Sequence, residues 1–138
     1  MTGLNDLTER EGRLASLKQE VNACQGCTLS TTRTNAVFGS GSPDSRLVFV
    51  GEAPGYHEDR QGLPFVGRAG GLLDDLLKRI DLDRSSVYIT NVLKCRPPQN
   101  RDPQADEIEN CSGFLKRQLS IIKPDVVCTL GNFATRLL

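Results

Sequence analysis

The chain has 138 residues, 38% hydrophobic and 25% charged, with 17 basic and 17 acidic side chains and a formal net charge of zero. That is the size and make-up of one globular domain, spanning residues 1–138, that buries a core without disulfides. A zero balance excludes a global basic footprint for nucleic acid and leaves only a local patch open. No apolar run is long enough to cross a bilayer. The amino-terminal stretch MTGLNDLTEREGR lacks the basic-then-apolar order of a signal peptide. The expected location is cytoplasmic, without a membrane, and there five cysteines point to metal or catalysis rather than to bridges.

In chain order, Leu4, Leu7, Leu14, Leu17 and Val21 recur at helical spacing and predict an amphipathic helix over 5–21. Cys24 and Cys27 follow as a CxxC. Residues 28–45 are rich in Ser, Thr, Gly and Asn and read as loop. Leu47 to Val50 is a short apolar strand running into a loop with Glu52, Pro54, Gly55, Glu58, Asp59 and Phe65. A glycine-rich junction, 67–71, leads into a helix over 69–80 with Leu72, Leu73, Leu76, Leu77 and Ile80 on one side.

A second strand over 87–90 feeds Asn91 and Cys95, then a proline-rich loop over 96–103. Asp102 and Pro103 read as the N-cap and first turn of a helix with Ile108, Cys111, Leu115, Leu119 and Ile122 as its stripe. A third strand over 125–130 places Cys128 in the core, and Gly131-Asn132 opens a last helix.

Alternating strands and helices predict an α/β fold, a three-layer α/β/α domain around a mostly parallel sheet. Three strands leave a sheet edge bare, so the domain reads as truncated at its C-terminal end, with a further βα unit missing or supplied by a partner.

The cysteines allow more than one reading. Cys24, Cys27, Cys95 and Cys111 could converge on one four-thiolate site for zinc or an iron–sulfur cluster. Cys111 on an apolar stripe equally fits a core cysteine, and CxxC fits a redox pair.

The loops beyond the strands gather acids, an aromatic and an amide where open α/β sheets bind ligands. Asn91 offers a donor and an acceptor side by side, matching a nucleobase edge, and Phe65 offers a stacking face. The plain alternatives are a turn residue for Asn91, core for Phe65 and a solvated cluster for Glu58-Asp59-Arg60. His57, the single histidine, reads as a loop residue. Residues 62–69 nearly spell a phosphate loop, but Arg68 and Ala69 replace the Lys and Ser/Thr, which excludes an ATP site. Arg60, Arg68, Lys94, Arg96 and Arg101 are candidates for phosphate contact.

Taken together, Gly51-Glu-Ala-Pro-Gly55, Glu58-Asp59, Pro64-Phe-Val-Gly-Arg-Ala-Gly70, Asn91-Val-Leu-Lys-Cys-Arg-Pro-Pro98 and Asn100-Arg101, with the four cysteines, resemble the family 4 uracil-DNA glycosylases. The resemblance implies a DNA-repair enzyme that hydrolyses the N-glycosidic bond of uracil in DNA, and a structural [4Fe–4S] cluster on Cys24, Cys27, Cys95 and Cys111. It implies that Phe65 stacks on a flipped-out uracil, that Asn91 reads its O4/N3 edge, and that the backbone around Glu52 and Ala53 holds the pyrimidine. Glu58 would stand near C5 and exclude thymine.

The best-known uracil glycosylases carry an Asp where Ala53 stands, which leaves Glu52 as the candidate for orienting water. The family's later motif, with a histidine that donates to uracil O2, falls beyond Leu138, so weak or absent activity is expected of this chain. Expected partners are uracil-containing DNA and replication or repair proteins, with the chain a monomer. The rival readings are a non-catalytic module that grips uracil-containing or single-stranded DNA, and a zinc-binding structural protein.

Overall fold

A computed structural model describes residues 2–138, with side chains from residue 6 onward. Helix α1 spans Thr2–Asn22 and α2 Leu29–Thr32. Strand β1 is Ser40–Gly41 and β2 Leu47–Gly51. Helices α3 (Tyr56–Gln61) and α4 (Arg68–Arg79) precede β3 (Tyr88–Asn91). Helix α5 (Ala105–Ile122), β4 (Val126–Thr129) and α6 (Asn132–Leu137) complete the order.

The sheet has four strands, ordered β1-β3-β2-β4. β2 pairs in parallel with β3 and β4, whereas β1 pairs antiparallel with β3. The expected three-stranded sheet is therefore corrected: the segment read as loop over 28–45 supplies both α2 and a two-residue strand on the β3 edge. Gly41 permits this pairing. It has φ +132°, and a Cβ there would stand 2.0 Å from the Val87 carbonyl oxygen.

Alternation along the strands divides the core. Val48, Val50 and Tyr88 face one side and pack with Leu14, Leu17 and Val21 of α1 and Leu115, Ile121 and Ile122 of α5. Phe49 and Ile89 face the other and pack with Leu73 and Leu77 of α4. Two helical layers thus enclose a mostly parallel sheet, as the alternation predicted. The side chain of Leu4 lies outside the described residues.

Three local expectations are corrected. Helix α5 begins at Ala105, not at Asp102-Pro103, because Glu107 reaches back to the Gln104 amide (2.9 Å) and sets the cap there. The α4 stripe is narrower than its leucines suggest: Leu73 and Leu77 are buried, whereas Leu72, Leu76 and Ile80 are exposed. One row of side chains suffices to meet the sheet. Cys128 is half-buried rather than core; it packs beside Phe49, on a strand whose Val126 and Val127 are exposed. Among the described residues, no helix is long and apolar enough to cross a membrane.

Candidate functional site

The parallel pairing of β2 and β3 runs past the strand ends, since the Val92 and Leu93 amides donate to the Gly51 and Glu52 carbonyls (2.9 and 3.0 Å). This lays the loop after β2 beside the loop after β3. Asn91 closes β3 opposite Gly51 and is 2% exposed. The missing side chain of Gly51 leaves space that two neighbours fill: a Cβ there would meet Asn91 Oδ1 and the Phe65 ring, each at 2.5 Å. The amide and the aromatic singled out in the sequence therefore share one corner at the carboxyl ends of the strands.

Glu52 is half-buried beside this corner. Burial, reinforced by the charge of Asp102, raises its carboxyl above the ordinary range. Ala53 is half-buried and packs toward the cysteine cluster.

Glu58 is not part of a solvated charge cluster. Its Oε1 accepts from the Gly55 amide (2.9 Å) and its Oε2 from those of Val66 and Gly67 (2.9 and 2.7 Å). Burial pushes this carboxyl up, but the amides of Gly67, Val66 and Gly55 outweigh it and leave it below the usual range. Asp59 is buried and accepts from the amides of Thr34 (2.9 Å) and Asn35 (3.3 Å), which ties α3 to the chain leading into β1.

The basic candidates separate. Arg68 is exposed at the start of α4. Arg96 donates from Nε to Asn100 Oδ1 (2.8 Å) and stands 5.4 Å from the Tyr56 ring, with Arg60 5.5 Å from the same ring. Arg101 is committed elsewhere. Both terminal nitrogens bind the buried Glu107 (2.8 and 2.7 Å) in a bidentate pair that holds the proline-rich loop on α5.

Lys94 is no phosphate contact at all. It is 1% exposed, and its Nζ donates to Thr90 Oγ1 (2.6 Å), the Asn91 carbonyl (2.8 Å) and Gln118 Oε1 (2.5 Å). Burial brings its ammonium down to about 7. Its charge thus serves the backbone under Asn91.

Cys24, Cys27, Cys95 and Cys111 line one small cavity, with Val21, Leu29, Leu93 and Phe114 as its apolar walls. All four are free thiols. Among the described residues, no three His, Cys, Asp or Glu side chains form a group that could hold a metal ion. A single zinc draws four sulfurs to one point, whereas a four-iron cluster gives each thiolate its own iron around a larger body. Four thiols with apolar walls are a soft donor set that suits either group.

Burial raises the Cys95 thiol, opposed by Arg33, and raises that of Cys111 to about 11, opposed by the Lys94 amide. Arg33 donates to Cys95 Sγ (2.8 Å) and to the carbonyls of Asn22 (2.9 Å) and Cys24 (3.1 Å). Sequence reasoning missed this arginine, as it missed Gln118 and Arg84. None stands in a motif, and their partners are carbonyls or residues distant in the chain.

The whole is an α/β/α domain with its site at the carboxyl ends of two parallel strands and a cysteine-lined cavity beneath. The chain belongs to the uracil DNA glycosylase superfamily, whose family model matches residues 38–138. It is 53% identical over 124 residues to the type-4 uracil-DNA glycosylase of Sulfurisphaera tokodaii, covering 89% of this chain and 56% of that one. It is 51% identical over 125 residues to that of Archaeoglobus fulgidus, covering 91% and 63%. With that of Thermotoga maritima it shares 50% identity over 125 residues, covering 91% and 65%. The chain thus spans between 56% and 65% of the length of these three relatives.

Proposed function

We propose that this chain carries the base-recognition and cluster-binding part of a uracil-DNA glycosylase that hydrolyses the N-glycosidic bond of uracil in DNA. The observation that carries the reading is the shared corner of Asn91, Phe65 and Gly51. A flipped-out uracil entering there meets an aromatic face and an amide held in one place. The Asn91 amide must offer its donor to O4 and its acceptor to N3–H. The Lys94 ammonium on the Asn91 carbonyl fixes the backbone from which that amide projects.

In the reaction, water adds to C1′ as the bond from C1′ to N1 breaks. Uracil leaves with the electron pair and is protonated, and the sugar becomes an abasic site. Preorganised donors lower the cost of the developing anion on the base. Glu52, beside the corner and raised by burial, is the group we assign to orienting the water. Ala53 has no side-chain oxygen with which to do so. Glu58 acts through the loop it holds: the wall that would exclude a thymine methyl is built on the amides of Gly55, Val66 and Gly67. Arg68 and Arg96 are the candidates for flanking phosphates.

Cys24, Cys27, Cys95 and Cys111 would hold a [4Fe–4S] cluster, and the cavity they line supports this. Such a cluster supplies cross-linking of α1, β3 and α5 rather than an electron, since hydrolysis needs none.

The test is formation of alkali-labile sites in a uracil-containing single strand, with iron and acid-labile sulfide measured in the same sample. Weak cleavage at uracil, lost in Asn91→Ala, is expected. A folded, iron-loaded sample that binds the strand and leaves it intact would overturn the catalytic reading.

A further inference from the structure

Phe65 is held in a conformation that a bulky side chain rarely adopts, with φ +53°. Its surroundings explain how. Arg84, in the turn before β3, donates from Nη1 to the Pro64 carbonyl (3.0 Å) and from Nη2 to the carbonyls of Phe65 and Gly70 (3.3 Å to the latter). Its Nε is fixed by Asp74 Oδ1 of α4 at 2.6 Å. Gly70 makes the approach feasible, because a Cβ there would fall 1.8 Å from the Phe65 oxygen. On the far side of the same turn, Glu58 takes the amides of Val66 and Gly67. The two carbonyls before the bend and the two amides after it are thus each gripped by one charged side chain.

We propose that Arg84, oriented by Asp74, is the positioning residue that fixes Phe65 as a stacking platform. The guanidinium touches only backbone, so it acts on the base through the ring it aims. The inference rests on the proposed reading that Phe65 stacks on uracil. A fork of planar donors is needed, since an ammonium cannot reach three carbonyls and a carboxylate from one centre.

The experiment uses the full chain, with Arg84→Ala, Arg84→Lys and Asp74→Asn, and two readouts. The first is 19F NMR of protein labelled with 4-fluorophenylalanine, whose five sites are assigned with Phe65→Leu. The expected result is that the Phe65 resonance shifts or broadens in all three variants while the other four stay in place. The second is single-turnover uracil release from a single strand. Arg84→Ala is expected to lose roughly 30-fold or more in rate with half-saturation nearly unchanged, as a misplaced reacting partner does. Millimolar methylguanidinium should restore part of that rate in Arg84→Ala, and Arg84→Lys should stay low. An unmoved Phe65 resonance, or a rate within about threefold of wild type, overturns the proposal. If Arg84→Ala fails to fold, Asp74→Asn carries both readouts. If the wild-type chain releases no uracil, the reading that this chain is itself catalytic falls, and the resonance alone decides the clamp.

Discussion

Gly51 and Asn91 face each other across the parallel β2–β3 pair, and the glycine's missing side chain is what lets the buried amide stand beside the Phe65 ring. Gly51→Ala would force a Cβ to within 2.5 Å of both neighbours. The expected cost is about 1–3 kcal/mol of stability, as for overpacking elsewhere. Uracil release should fall further than stability alone explains, because both recognition groups are displaced. Thermal unfolding and single-turnover rates on the same preparation separate the two effects.

Lys94→Met keeps the bulk of a buried chain but leaves Thr90, the Asn91 carbonyl and Gln118 without their shared donor. A loss of roughly 1–3 kcal/mol follows from unpaired buried acceptors. Urea unfolding with an unchanged m value would show that this is a native-state effect.

Glu58 gives the loop a pH limit. Its carboxyl lies below the ordinary range when folded, so its contribution is present above the unfolded pKa and is lost as pH falls through the folded one. Wild type should therefore lose stability on acidification below about pH 4.5 more steeply than Glu58→Gln, whose amide does not titrate. At neutral pH, Glu58→Gln should be the less stable by about 1–2 kcal/mol, since its NH2 replaces one of the two oxygens that accept the amides of Gly55, Val66 and Gly67. Melting curves from pH 3 to 7, with those bounds taken as roughly the carboxylate window, test both statements.

Arg33→Ala removes the donor on Cys95 and the link to the Asn22 and Cys24 carbonyls. With the cluster bound, the expected outcome is faster bleaching in air and faster iron release to a chelator, while affinity for a uracil-containing strand changes little. Equal bleaching rates in the two proteins would show that the arginine serves only the loop. Cys111→Ser should lower bound iron and the melting temperature together, since one side of the cavity then lacks its thiolate.

Much of this architecture is written in short-range pattern. Val48, Val50 and Phe49 alternate as a strand between two layers must, and Leu14, Leu17 and Val21 mark the face of α1 that reaches the sheet. Strand β1 escaped notice because Ser40 and Gly41 carry no alternation; its evidence is the close approach of Gly41 to Val87. At the candidate site, the sequence singles out Phe65, Asn91 and the four cysteines by side-chain type, and the fold brings the first two to Gly51 and the cysteines to one cavity. Lys94 and Arg101 read as candidates for phosphate contact because sequence shows a charge and hides the buried Gln118 and Glu107 that receive it. Arg84 and Arg33 bind mainly to carbonyls, which every residue has, so no pattern of side chains announces them.

The cysteines line their cavity from segments that the chain delivers at separate times: two after α1, one after β3, one within α5. The cavity exists only once the amino-terminal helix has docked against α5, a helix pair far apart in the chain. Contacts of that span carry a large loop-closure cost. Occupancy of the cavity is therefore a readout of completed assembly, and a chain caught before that docking has nowhere to keep a ligand.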